Sequence, residues 1–222
     1  MKSPVKAVLF DLYETLVTQA GTPVPRAGRL GELLGLDASA YRREWKQLRP
    51  LVLRGELTFQ KALGEIGTRL GVAIPMERVA RARDERIRAN TLVFQKIDRE
   101  LAALIADLRA GGMRLATISN CMAEDVVAWP DSPFAPHFGA AVFSFEAGVM
   151  KPDQRIYLEA VRRLGVDPED AVYVGDGGDD ELAGAGRAGL RAAQAAWFVS
   201  REPLPGIPVL GRYNDVRRLA LE

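Results

Sequence analysis

The stretch Val8-Leu9-Phe10-Asp11-Leu12-Tyr13-Glu14-Thr15-Leu16 decides how this chain folds. An apolar run from Val5 through Ala7 to Phe10 ends in a carboxylate, Asp11, and a hydroxyl, Thr15, follows four residues later. The run reads as a buried strand. In an open α/β sheet, ligands bind at the carboxyl ends of the strands. An aspartate held there serves as a nucleophile, a metal ligand or both. Tyr13 stands where a second carboxylate is the alternative, and the functional question turns on it.

Outward from this strand, residues 17–93 read as helical throughout. Tyr41, Trp45, Leu48 and Val52 recur at helical spacing, as do Phe59, Ala62, Leu63, Ile66 and Leu70. Gly21-Thr22-Pro23, Gly35-Leu36-Asp37, Gly55 and the segment from Gly71 to Pro75 supply the turns, and Met76 to Asn90 adds a basic helix. After residue 97 the pattern alternates. A helix through Leu108 precedes a strand from Arg114 to Ile118, and a helix-like stretch leads to a strand from Ala140 to Phe145. Pro152 opens a helix through Leu164, and further strands run from Ala171 to Val174 and from Ala192 to Val199. Pro203, Pro205 and Pro208 precede a short C-terminal helix. The expected fold is a doubly wound, mainly parallel α/β sheet formed by residues 1–16 and 94–222, with residues 17–93 inserted as a helical bundle.

Composition narrows the function. Hydrophobic residues make up 48% of 222 residues and charged residues 27%, enough to fill a core. Lys plus Arg number 30 against 29 for Asp plus Glu, so net charge favours neither a nucleic acid nor an anionic membrane. Cys121 is the only cysteine and His137 the only histidine, which excludes an internal disulfide, a cysteine zinc site and a histidine-based triad with a second base. No stretch approaches the roughly 20 apolar residues of a membrane span. A cytoplasmic monomer or homodimer acting on a small molecule is expected.

Polar residues gather at the strand ends: Asp11 with Thr15, Ser119 with Asn120, Lys151, and Asp176 with Asp180. Singly, each has a structural reading as a cap, a turn or a solvated side chain. Together they make coherent chemistry. Asp11 and Asp176 suit a hard divalent cation such as Mg²⁺. Thr15, Ser119 and nearby N–H groups suit phosphate oxygens, and Lys151 adds a positive point charge.

These residues resemble the four motifs of the haloacid dehalogenase-like hydrolases, in order: Asp11-Leu-Tyr-Glu-Thr15, Ile118-Ser119-Asn120, Val149-Met-Lys151-Pro-Asp and Val174-Gly-Asp176-Gly-Gly-Asp-Asp180-Glu. The resemblance spans residues from about 5 to 190, and the helical insertion is similar to the family's four-helix cap. It implies that Asp11 is the nucleophile and that Thr15, Ser119, Asn120 and Lys151 hold the substrate's anionic group. It also implies Mg²⁺ ligation by Asp11, the Tyr13 backbone carbonyl and Asp176, with Asp180 as a further ligand or as a residue orienting the others.

Tyr13 divides the resemblance. The family's phosphatases usually carry Asp at this place, as the acid for the leaving group, whereas its 2-haloacid dehalogenases typically carry Tyr, because halide leaves without a proton. Tyr157 and a cap arginine, Arg42 or Arg43, also resemble dehalogenase positions. The fourth motif is similar to the phosphatase pattern; its Asp176, close to Asp11, would raise the pKa of one of the two unless a cation lay between, and it would repel a haloacid carboxylate. The sequence therefore favours a Mg²⁺-dependent phosphatase, against a metal-free 2-haloacid dehalogenase and an idle binding protein. Glu14 is a substitute candidate for the missing acid. Cys121, His137 and Trp45 read as structural.

Overall fold

The computed structural model describes residues 4–25 and 27–221. Strand β1 (Ala7–Asp11) is buried along its whole length. Its alternating side chains enter two different cores: Val8 and Phe10 on one face, Ala7 and Leu9 on the other. It pairs in parallel with β2 (Arg114–Ser119) on one side. The strands β3 (Ala140–Phe143), β4 (Ala171–Gly175), β5 (Arg191–Ala195) and β6 (Val209–Leu210) complete a six-stranded parallel sheet of order β3-β2-β1-β4-β5-β6. The winding direction reverses at β1. Asp11 is in register with Ile118, and Phe10 with Val174, so the ends of β2, β1 and β4 open on one crevice.

Between β1 and β2 lie the helices α1 (Ala27–Leu34), α2 (Ala38–Leu53), α3 (Phe59–Arg69), α4 (Met76–Gln95) and α5 (Arg99–Ala110). Asp37 caps α2 by accepting the Ser39 and Ala40 N–H groups, and Thr58 caps α3 through the Lys61 N–H, contacts typically contributing about 1 kcal/mol each. The apolar stripes of α1 to α4 meet in a core of their own, around Leu30, Tyr41, Trp45, Phe59 and Ile66. No strand falls within residues 39–70. The last turn of α4 behaves differently, for Val93 and Phe94 pack with the sheet.

After β3 come α6 (Ser144–Ala147), α7 (Gln154–Leu164), α8 (Glu181–Arg187) and α9 (Tyr213–Leu221). Helices α5 and α9 cover one sheet face, while α7 and α8 cover the other. Among the described residues, no helix is long and apolar enough to cross a membrane.

Several local expectations are corrected. The strand expected to reach Phe145 stops at Phe143, because Ser144 begins the single helical turn that Gly148 closes in left-handed backbone at φ 69°. The strand expected to reach Val199 stops at Ala195, where its pairing with Leu210 ends. That partner, β6, is a two-residue edge strand too short to show alternation in the sequence. The helix-like stretch before β3 contains only the short 3₁₀ turns Ala123–Asp125 and Ala135–His137, with Trp129, Phe134 and Phe138 packed edge to face around them.

Candidate active site

Beyond Asp11 the chain curls back tightly. The Leu16 and Val17 N–H groups both donate to the Leu12 carbonyl at 2.9 Å, and Glu14 takes left-handed backbone at φ 59°. This turn leaves Asp11 facing a cleft of about 240 Å³, together with Tyr13, Ser119, Asn120, Lys151, Asp176 and Arg201. It also carries Thr15 away from the cleft. Thr15 is fully buried, its Oγ1 has no hydrogen-bond partner among the described residues, and its carbonyl accepts the Trp197 Nε1–H at 2.9 Å. The expected anion-binding hydroxyl is thus inside the turn and not among the lining groups.

Lys151 is held at both ends. Asn120 accepts the Lys151 N–H at 2.7 Å and donates its Nδ2–H to the Lys151 carbonyl at 2.9 Å. The ammonium group donates to Asp11 Oδ1 at 2.5 Å, Glu181 Oε2 at 2.6 Å and the Tyr173 hydroxyl at 2.9 Å. Tyr173 in turn donates to Glu181 Oε2 at 2.6 Å, and Tyr157 donates to the Glu181 carbonyl at 2.8 Å. Asn120 therefore positions the lysine through its main chain.

Asp11, Asp176 and Glu181 each bring a carboxylate oxygen within 4.8 Å of the others. An all-oxygen set of this kind fits a hard cation such as Mg²⁺. Glu181 is already satisfied, since Oε2 takes Lys151 and Tyr173 and Oε1 takes the Gly177 N–H at 3.0 Å. Its place explains Gly175, where a Cβ would come within 2.3 Å of Glu181 Oε1. Asp176 accepts the Gly178 N–H on Oδ1 at 2.9 Å, and Arg201 on Oδ2.

Asp180 stands apart from this cluster. Asp179 and Asp180 both adopt left-handed backbone, φ 51° and 56°, which aspartate tolerates better than most residues. The double turn sends Asp180 outward, 61% exposed and 3.2 Å from Arg187, so that Glu181 enters the cluster in place of the expected Asp180.

Burial shapes the protonation of the site. Desolvation, reinforced by Glu181 and opposed by Lys151, pushes the Asp11 carboxyl up to about 7. Burial alone would depress Lys151, but Asp11 and Glu181 overcome it and hold the ammonium above its ordinary range. Burial, and next the Asp125 carboxylate, raise the Tyr13 hydroxyl well above 10. That hydroxyl donates to the Asp125 carbonyl at 2.7 Å, beside the Arg86–Asp125 ion pair of 2.7 Å. Glu14 is engaged as well, accepting the Thr18 hydroxyl at 2.7 Å and the Gln19 N–H at 3.0 Å.

The family model for haloacid dehalogenase-like hydrolases matches residues 5–189. The chain belongs to this family. Relatives named for each of the two activities resemble it. A glyceraldehyde 3-phosphate phosphatase of Methanopyrus kandleri is 29% identical over 84% of this chain and 82% of its own. An (S)-2-haloacid dehalogenase of Pseudomonas putida is 28% identical over 81% and 79%. A crystal structure of a 2-haloacid dehalogenase from Pseudomonas syringae pv. tomato covers 97% of both chains with a TM-score of 0.71 at 24% identity, a likeness of fold.

Three lining or supporting groups were given no role by the motifs. Glu181 lies one residue past the expected acid, so the acidic run pointed at it without resolving it. Tyr173 reads as a strand residue, and Arg201 lies in a segment with no periodicity. Arg42 and Arg43 are exposed on α2 and do not line the cleft; Trp45 packs against Tyr41 and Phe59. Cys121 is buried in the core.

Proposed function

We propose that this haloacid dehalogenase-like hydrolase is a Mg²⁺-dependent phosphatase of a small phosphorylated metabolite. The observation that carries this reading is the convergence of Asp11, Asp176 and Glu181 oxygens beside a buried lysine. Asp11, Asp176 and the Tyr13 carbonyl would hold the cation, which neutralises phosphate charge and the repulsion between carboxylates. Asp11 attacks phosphorus, an oxygen–phosphorus bond forms, and the ester oxygen departs with its bonding pair. Water then attacks the aspartyl phosphate, releasing phosphate and restoring the Asp11 carboxylate. Lys151 orients Asp11 and offsets the charge of the transferring group. Ser119 and Asn120 line the same cleft.

The departing oxygen takes its proton from solvent, because the Tyr13 hydroxyl is committed to the Asp125 carbonyl and Glu14 to Thr18 and Gln19. Substrates with acidic leaving groups should therefore react best. The core of residues 1–16 and 94–222 carries the chemistry, and we assign residues 17–93 the role of a cap that governs access. Among the described residues, none of α1 to α4 lines the cleft.

One observation favours the second reading, a 2-haloacid dehalogenase. Arg201 already neutralises Asp176, which removes part of the objection to a haloacid carboxylate in the cleft. Paired assays separate the two readings: p-nitrophenyl phosphate and L-2-chloropropionate, each with Mg²⁺ and with chelator. Mg²⁺-dependent phosphate release supports the phosphatase. Chelator-insensitive chloride release without phosphate release replaces it with the dehalogenase.

A further inference from the structure

Arg201 enters the cleft from the segment between β5 and β6. Its Nε and Nη2 both donate to Asp176 Oδ2, at 2.9 and 2.8 Å. A carboxylate oxygen has about two lone-pair sites, so the guanidinium fills Oδ2. The other oxygen, Oδ1, already receives the Gly178 N–H at 2.9 Å. With Arg201 in place, Asp176 offers a cation at most one remaining site.

The pair is asymmetric. The Asp176 side chain is 6% exposed, whereas that of Arg201 is 46% exposed. The carboxylate is fixed in the cleft by the turn after β4, while the guanidinium sits at the rim with water on one side. Its segment is tied down elsewhere, by the Trp197 Nε1–H on the Thr15 carbonyl at 2.9 Å. Arg201 can leave Asp176 by side-chain rotation alone. Lys151 has no such freedom, being 4% exposed and bound to Asp11, Glu181 and Tyr173.

We propose that Arg201 is a built-in competitor of the divalent cation. In the metal-free protein it supplies the positive charge that a nearly buried Asp176 needs. An ion on the remaining Oδ1 site stands against the positive charge of the guanidinium, and an ion on Oδ2 must displace it, so in either position part of the metal-binding free energy is spent against this ion pair. Arg201 thereby weakens metal affinity and stabilises the metal-free state. The inference rests on the metal-dependent reading above.

Calorimetric titration with MgCl₂ tests it on the 222-residue chain, as wild type, Arg201→Gln and Arg201→Lys. The Gln variant should bind Mg²⁺ about tenfold more tightly, the scale set by one partly exposed charged hydrogen-bonding group. The Lys variant, which cannot fork onto one oxygen, should fall between. Melting in chelator gives a second readout: Arg201→Gln should melt below wild type, and Mg²⁺ should raise its Tm by the larger increment. Equal or weaker Mg²⁺ affinity in Arg201→Gln, with wild type binding the ion, overturns the competitor role alone. Absence of Mg²⁺ binding in all three folded proteins overturns the metal-dependent reading, and this inference with it. Should Arg201→Gln not fold, Arg201→Lys decides by the same comparison.

Discussion

Lys151 reaches across 140 positions of sequence to place its ammonium 2.5 Å from Asp11 Oδ1. The same nitrogen meets Glu181 at 2.6 Å, so one buried cation is shared by two buried carboxylates. Removing it should be costly. Lys151→Ala leaves both acids unpaired, and breaking a buried pair in this way costs about 3–5 kcal/mol. Urea denaturation should show that loss, and Glu181→Gln in the same background should recover part of it by removing one of the stranded charges. A Lys151→Ala protein as stable as wild type would show that the site tolerates free carboxylates.

Acidity offers a second check. Burial, and next the Glu181 carboxylate, push the Asp11 carboxyl of the folded protein up to about 7 from its ordinary value of 3.8. The folded state therefore keeps this proton across a pH range in which the unfolded chain releases it. Its contribution to stability is greatest below pH 3.8 and is lost as pH rises toward about 7. In chelator, wild type should lose stability over that window relative to Asp11→Asn. A divalent cation, by favouring the ionised carboxylate, should shift the fall to lower pH.

Tyr13 separates the two chemistries. Tyr13→Phe removes the hydroxyl's hydrogen bonds to the Asp125 carbonyl at 2.7 Å and to Asn90 Oδ1 at 3.4 Å, a loss of about 1 kcal/mol in stability, and should leave turnover near wild type. Tyr13→Asp should raise hydrolysis of alkyl phosphates by about 10²-fold, the low end of a general-acid contribution. Its effect on p-nitrophenyl phosphate should be smaller, because that leaving group needs no proton. The dehalogenase reading expects no gain with any phosphate ester.

Gly175 offers a steric test of the charge network. A Cβ there would approach Glu181 Oε1 to 2.3 Å, so Gly175→Ala must push Glu181 off Lys151 or move β4. Overpacking of this kind costs about 1–3 kcal/mol. Thermal melts should register that cost, and the rate should fall with it. Gly186→Ala, with open space around its Cβ, is the control and should do neither.

Five of the six strands, with Asp11, Ser119 and Asp176 at or just past their carboxyl ends, were legible in the sequence alone. These features are local: an apolar run alternates between two faces, and its last residue must emerge where the strand ends. The register of β2 and β4 with β1 then brings three such ends together. Spacing did not determine which side chain of Asp179, Asp180 and Glu181 would turn inward, because two left-handed residues in succession reverse the direction that a helical or extended reading predicts. Nor did it show that Thr15 is enclosed by its own turn, or that the Tyr13 hydroxyl is claimed by the Asp125 carbonyl, 112 positions away. Arg201 is the clearest case. Its contact with Asp176 spans 25 residues through an aperiodic segment, and only the folding of that segment over the sheet edge, anchored by Trp197, places the charge in the cleft. Tertiary packing, which satisfies buried charges with whatever partners lie near, decided that part of the site.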